Sequence, residues 1–222
     1  PAYMGELDSQ AASLLRHLSL RQARIIALSL TPEGAGLAQR LIDEVLISEG
    51  YQSGQDYVNL GYFPGEAAGI RALRFLTPHF QTQTFDGMEL DEALDFNDGE
   101  RFELGDMALV AVLTSDDDNL RWWVEQMTAL EGELETELPL LAGVSAAIEA
   151  LVRPYYDMES PQIDGLVVGL AGAADYELAL EQEDGPAHAL LEAQLVGQGA
   201  VLALIVAAVL LYGVFRKGES DE

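Results

Sequence analysis

From residue 195 to residue 215 the chain reads LVGQGAVLALIVAAVLLYGVF. The run holds no charged side chain, and Gln198 is its only strongly polar one. About 20 residues of α-helix cross a ~30 Å hydrocarbon core. A helix of that length lying on a water-soluble domain would carry a polar face, and this run has none. It is therefore expected to be a transmembrane helix, with residues 1–194 as a globular domain ahead of it and 216–222 as a short tail. Arg216 and Lys217 follow the run directly, whereas no lysine or arginine lies between Arg153 and Arg216. Positive charge flanking a span stays on the cytoplasmic side, so the tail is expected in the cytoplasm and the domain outside it. A polar amide in lipid gains from a partner on another helix, and small residues let helices approach closely. Gln198 and Gly199 are thus the expected helix contact; the alternative places Gln198 at the interface, where water reaches it.

Ahead of the run there is enough chain for one domain with its own core. Its surface is strongly acidic: 38 acidic against 11 basic residues give a formal charge of −27. Such a surface repels phosphate backbones, which argues against nucleic-acid binding, and repels anionic lipid headgroups. The acidity fits either a solvation adaptation, for example to salt, or a cation or basic partner. The absence of cysteine excludes disulfides and thiolate metal sites.

Along the domain, short apolar runs alternate with stretches of helical spacing. Met4, Leu7, Ala11, Leu14, Leu15 and Leu18 mark a first helix. Residues 24–31 (RIIALSLT) form a continuous apolar run ending at Pro32, the pattern of a buried parallel strand. Leu37, Leu41, Val45 and Leu46 predict the next helix, 56–63 the next strand, and 67–75 a helix after Pro64-Gly65. Residues 77–106 break the rhythm as a polar, acidic excursion with turn residues at Pro78, Asp86-Gly87 and Asn97-Asp98-Gly99. It resumes with strands predicted at 107–115, 137–145 and 164–173. Between them lie a helix from Asp118, the natural cap, through Trp122, Trp123 and Met127, and a helix over 146–151 stopped before Pro154. Strands alternating with helices imply right-handed crossovers and a parallel sheet covered on both faces. The expected fold is α/β, a Rossmann-like doubly wound parallel sheet. That architecture opens on a strand, so the first strand is expected upstream of Pro1.

Three segments, SLTPEGAGLAQ (29–39), YVNLGYFPGEAA (57–68) and GLVVGLAGAADYE (165–177), resemble the motifs of a family of uncharacterised bacterial membrane-anchored α/β proteins. The resemblance runs in order over nearly the whole chain. It implies an N-terminal strand ahead of the first helix, an upstream membrane segment and placement at the bacterial cytoplasmic membrane, and it implies no reaction. Phe63 and Glu66 stand where the family tends to have a basic residue and a second glycine, and Thr114-Ser-Asp-Asp-Asp118 replaces a glycine-containing turn.

In open parallel sheets ligands bind beyond the carboxyl ends of the strands. The turns there bring Glu33, Asn59, Tyr62, Gly65, Glu66 and Ser145 forward as candidate ligand-binding residues. Glu66 in the first turn would itself occupy the positive helix end, which weighs against an anion there, and no GxGxxG or GxxxxGK[ST] occurs. Asp116 and Asp117 are the metal candidates, since carboxylates at a strand end hold Mg²⁺ or Ca²⁺ with help from water; consecutive residues rarely converge on one ion, however, and the EF-hand spacing is absent. His17, His79 and His188 are scattered, with no HExxH and no GxSxG elbow near Ser145. Of Trp122 and Trp123, adjacent on a helix, one is expected in the core and the other half exposed; Tyr155 and Tyr156 are expected to pack, the alternative being that they line a strand-end cleft.

Two function classes follow. The first is a non-catalytic domain that scaffolds or binds partners in a membrane assembly, through other membrane proteins or self-association of the anchor, with no cofactor. The second is an α/β enzyme or small-ligand receptor using the strand-end cleft, its acidic turn holding a divalent cation. A polar pocket uniting Glu33, Asp116 and Tyr62 favours the second; a closed strand-end face with apolar surface elsewhere favours the first.

Overall fold

The computed structural model describes residues 3–73, 83–93, 104–134, 138–180 and 185–218, with the side chains from 206 onward outside the description. Helix α1 (Tyr3–Leu20) leads into β1 (Ile25–Ser29). Next come α2 (Pro32–Leu41), which widens into a π-turn at Ile42–Leu46, and β2 (Tyr57–Tyr62). Then follow α3 (Glu66–Ala72), the single turn α4 (Leu90–Ala93), β3 (Val110–Thr114) and α5 (Asp117–Leu134). The rest comprises β4 (Leu140–Val144), α6 (Glu149–Asp157), β5 (Gly165–Val168), α7 (Gly169–Ala179) and the long α8 (Pro186–Gly218).

Every strand pairing is parallel: β1 with β2, and β4 with β3 on one side and β5 on the other. The two groups share one core. Ile26, Leu28 and Leu30 pack into the same cluster as Val112, Leu140, Ala142 and Val144, together with Phe63 just after β2 and Ile70, Leu120 and Val124 from the covering helices. Helix α1 touches α2 and α7, while α5 touches α3 and α6, so the helices fall into two layers. The fold is α/β with parallel sheets, consistent with the Rossmann-like arrangement that the alternation predicts. Trp123 is core and Trp122 half-buried, as adjacent helical positions require; Tyr155 packs on the core and Tyr156 is exposed.

Three local expectations are corrected. The strand predicted over 164–173 ends at Val168, where Gly169 adopts φ +59° and turns the chain straight into α7. The apolar run continues because Leu170, Ala173 and Ala174 are buried on the helix instead; a short apolar run does not by itself separate buried strand from buried helix. The helix expected to stop before Pro154 runs through it. Proline removes one bond to the carbonyl four residues back, and Ala150 and Pro154 are both exposed, so water can satisfy that carbonyl. The cap of α5 is Asp116, not Asp118: its carboxylate accepts the Asp118 N–H at 3.1 Å and the Asn119 amide at 2.9 Å.

Of the excursion at 77–106, only 83–93 and 104–106 are described. These stretches serve the fold. Leu90, Ala93 and Leu104 enter the core, and the Phe85 N–H donates to the Asn59 carbonyl at 2.8 Å on the outer edge of β2. Helix α8 contains the expected span 195–215. Among the described residues no helix is long and apolar enough to cross a membrane; the second half of that span has its side chains outside the description.

Candidate functional site

Glu33, Gly65, Glu66 and Ser145 follow the carboxyl ends of their strands and Tyr62 ends β2, while Asn59 lies inside β2, and fold geometry occupies several of them. Asn59 is 2 % exposed; its amide donates to Gln39 Oε1 at 2.9 Å and its Oδ1 accepts the Gly61 N–H at 2.9 Å. Gly65 caps α3 at φ +110°, a conformation open to glycine, and Glu66 follows at φ +50°, exposed. Glu33 is exposed in the first turn of α2, whose cap is Thr31 Oγ1 on the Gly34 N–H. Tyr62 is 44 % exposed. Ser145 is fully buried, its hydroxyl without a partner among the described residues. Asp116 holds the start of α5 and Asp117 lies beside it. Among the described residues no three histidine, aspartate or glutamate side chains group as a metal site; His79 lies outside them.

The polar residues that do converge are elsewhere, along one stripe of α1. Glu6, Gln10, Ser13 and His17 recur at helical spacing. The Glu6 carboxylate accepts the Ala146 N–H at 3.0 Å. Gln10 Nε2 donates to the carbonyls of Val144 at 2.9 Å and Gly169 at 3.0 Å, tying α1 to the ends of β4 and β5. His17 Nδ1 meets the Tyr176 hydroxyl at 2.5 Å, and burial pushes the Tyr176 phenol pKa up. The apolar positions of α1 predicted to face inward are only half-buried at Leu7, Leu14, Leu15 and Leu18; Ser9, Gln10, Ala11 and Ser13 are the buried ones.

At the end of this stripe lies Glu177, on α7 and completely buried. Its carboxylate accepts three hydrogen bonds: from the Ser13 hydroxyl at 2.6 Å, the Ala187 N–H at 3.2 Å and the His188 N–H at 2.9 Å. The last two are first-turn donors of α8, which have no partner inside their own helix. A carboxylate there satisfies them and opposes the positive helix end. Gly185 precedes Pro186 because a Cβ at that position would overlap the Glu177 carboxylate. Glu177 thus fastens α8 to α7 and α1. Its sequence signal is its place four and three residues after the buried Ala173 and Ala174: a carboxylate on an apolar helix face.

Among its described side chains, helix α8 docks at its beginning. Ala187 is buried and Leu191 half-buried against Leu170, Ala173 and Ala174. From Glu192 onward the described side chains are all exposed, including Leu195, Val196, Val201, Leu202, Leu204 and Ile205, each more than half exposed. Gln194, Gly197, Gln198, Val201, Leu202 and Ile205 line a shallow groove on one side of the helix. Gly199, like Gly197, has open space around it. The expected contact residues Gln198 and Gly199 therefore stand free on an apolar rod fixed to the domain at one end. Comparison of the chain with known protein families, with curated proteins and with solved structures finds no match.

Proposed function

We propose that this chain is a membrane-anchored, non-catalytic α/β domain that serves as a scaffold or binding subunit of a membrane protein assembly. One observation carries the reading. The exposed apolar side chains of α8 begin where the helix leaves the domain, and the run continues uncharged to Phe215. Exposed apolar surface on this scale calls for a partner, and ~21 uncharged helical residues match the thickness of a bilayer core. The basic pair after the run orients the tail to the cytoplasm and the domain to the other side. Gln198, beside Gly197 and Gly199, provides the hydrogen-bonding and close-approach surface for another membrane helix.

Deleting residues 195–222 is expected to move the protein from the membrane pellet to the soluble fraction, with the full chain staying in the pellet after alkaline extraction. A truncated chain that still pellets, or a full chain that extracts, overturns the anchor. Gln198→Leu is expected to reduce the size of the assembly in mild detergent; an unchanged size removes Gln198 from the contact.

A further inference from the structure

Helix α8 leaves the domain in a set direction, and that direction selects the face of the domain that meets the membrane. We propose that the carboxyl edge of the parallel strands lies against the bilayer, on headgroups that end in an ammonium group. This docking face rests on the anchor reading above and adds to it an orientation and a lipid surface.

Three helices give the direction. Glu6 and Gln10 tie the first turns of α1 to Ala146, Val144 and Gly169, at or just beyond the carboxyl ends of β4 and β5. Leu15 and Leu18, further along α1, pack with Ile25 and Tyr57 at the amino ends of β1 and β2. Helix α1 therefore runs from the carboxyl edge to the amino edge. Helix α7 runs beside it in the same sense, because Gly169 meets Gln10 at one end while Glu177 and Tyr176 meet Ser13 and His17 at the other. The first turn of α8 is bonded to Glu177 at that far end. Leu191, one turn on, packs on the cluster of Ala187, Leu170, Ala173 and Ala174, nearer the start of α7. So α8 turns back along α7 and points out past the carboxyl edge.

The reach is short. Helix α8 continues as one helix to Gly218. Leu195, where the uncharged run begins, lies four residues beyond the half-buried Leu191, which is about 6 Å of helix. The polar layer on each side of a bilayer core is about 5–7 Å deep. The edge of the domain and the headgroups thus meet at one level, with no room for a spacer between them.

The edge suits one kind of surface. The turns at 30–34, 62–66, 114–118 and 143–147 carry Glu33, Glu66, Asp116, Asp117 and Asp118 and no lysine or arginine. Arg121 and Arg153, about a turn further on, are paired with Asp118 at 2.8 Å and with Glu149. Glu33, Glu66, Asp116 and the Tyr62 ring are exposed. Anionic headgroups repel such an edge. Phosphatidylcholine and phosphatidylethanolamine present an ammonium group outermost, which carboxylates attract and an exposed tyrosine face receives. The basic residues Arg16, Arg21 and Arg24 gather around the end of α1, at the opposite edge. Charge alone would turn that edge to an anionic bilayer; the path of α8 turns it away.

The chain has no cysteine, so a single introduced cysteine takes one fluorophore. Ala147→Cys marks the carboxyl edge and Leu20→Cys the amino edge, both at exposed positions, with Leu20 about 20 Å along α1 from Glu6. Each full-length variant is reconstituted in phosphatidylcholine vesicles with a quencher on a fraction of the headgroups, and flotation is run on the same samples. The Ala147 label is expected to lose most of its emission and the Leu20 label almost none. In phosphatidylglycerol vesicles at low salt the Ala147 label is expected to be quenched less, and Glu33→Gln/Glu66→Gln/Asp117→Asn to restore the loss. Quenching of Leu20 instead, or of both labels alike, in a chain that floats overturns the docking face and leaves the anchor standing. Equal quenching of Ala147 in the two lipids overturns the choice of headgroup. A chain that does not float overturns the anchor, and the docking face with it.

Discussion

Glu177→Ala is expected to lower the stability of the domain by about 3 kcal/mol, the loss of hydrogen bonds to a buried charged group together with the donors left behind. The carboxylate accepts from Ser13, Ala187 and His188 and is fully buried. Alanine leaves two first-turn amides of α8 unsatisfied and a void beside Gly185. The effect should be directional. Amide exchange at Ala187 and His188 and mobility at Leu191 rise first, because these hold α8 to the domain, while β4 responds only through global unfolding. Glu177→Gln keeps an acceptor of the same shape without the charge and should recover a large part of the loss. Thermal unfolding combined with residue-resolved exchange measures both. An alanine variant with wild-type melting temperature and unchanged exchange at Ala187 would show that the junction does not hold the helix.

Gly143→Ala is expected to destabilise by roughly 1–3 kcal/mol, the usual range for overpacking a filled core. A Cβ at Gly143 would overlap Leu113 Cδ2 and come within 2.6 Å of Gln10 Oε1. The glutamine cannot retreat easily, because its nitrogen is fixed to the carbonyls of Val144 and Gly169. Leu113 has more room, being partly exposed. The double variant Leu113→Ala/Gly143→Ala should therefore be less destabilised than the sum of the two singles, and a thermodynamic cycle reads the coupling. Strict additivity would mean that the clash is absorbed elsewhere.

The strands were legible because each is a short uninterrupted apolar run, and residues 25–29, 57–62, 110–114 and 140–144 all fall inside the predicted segments. The boundary at Gly169 was not legible, because the apolar run passes unbroken from a strand into a buried helix and only the left-handed backbone of one glycine separates them. Pro154 misled because the carbonyl it orphans, that of the exposed Ala150, is open to water, which lowers the cost of carrying the helix through it. The strand-end candidates illustrate a different limit. Chain order placed Ser145 just beyond the carboxyl end of β4, whereas Asn59 lies inside β2, and whether such a side chain is free or already bonded depends on contacts remote in sequence. Asn59 is engaged by Gln39 and the Gly61 amide; Asp116 was legible as one of a run of acids, and not as the residue of the three that caps α5.

Periodicity and composition alone established the alternation that makes this an α/β chain, and the uncharged run that calls for an apolar environment, since both are properties of consecutive residues and local geometry. Tertiary structure alone decided that α1 buries Gln10 and Ser13 more deeply than its leucines, that Glu177 fastens α8, and that the described strands fall into a pair, β1–β2, and a trio, β3–β4–β5. The polar stripe depends on groups far apart in sequence meeting in space, such as Ser13 with Glu177 and Gln10 with Gly169. Spacing along a chain carries no record of which distant donors and acceptors will be buried together, and burial is what turns an ordinary surface carboxylate into a structural clasp.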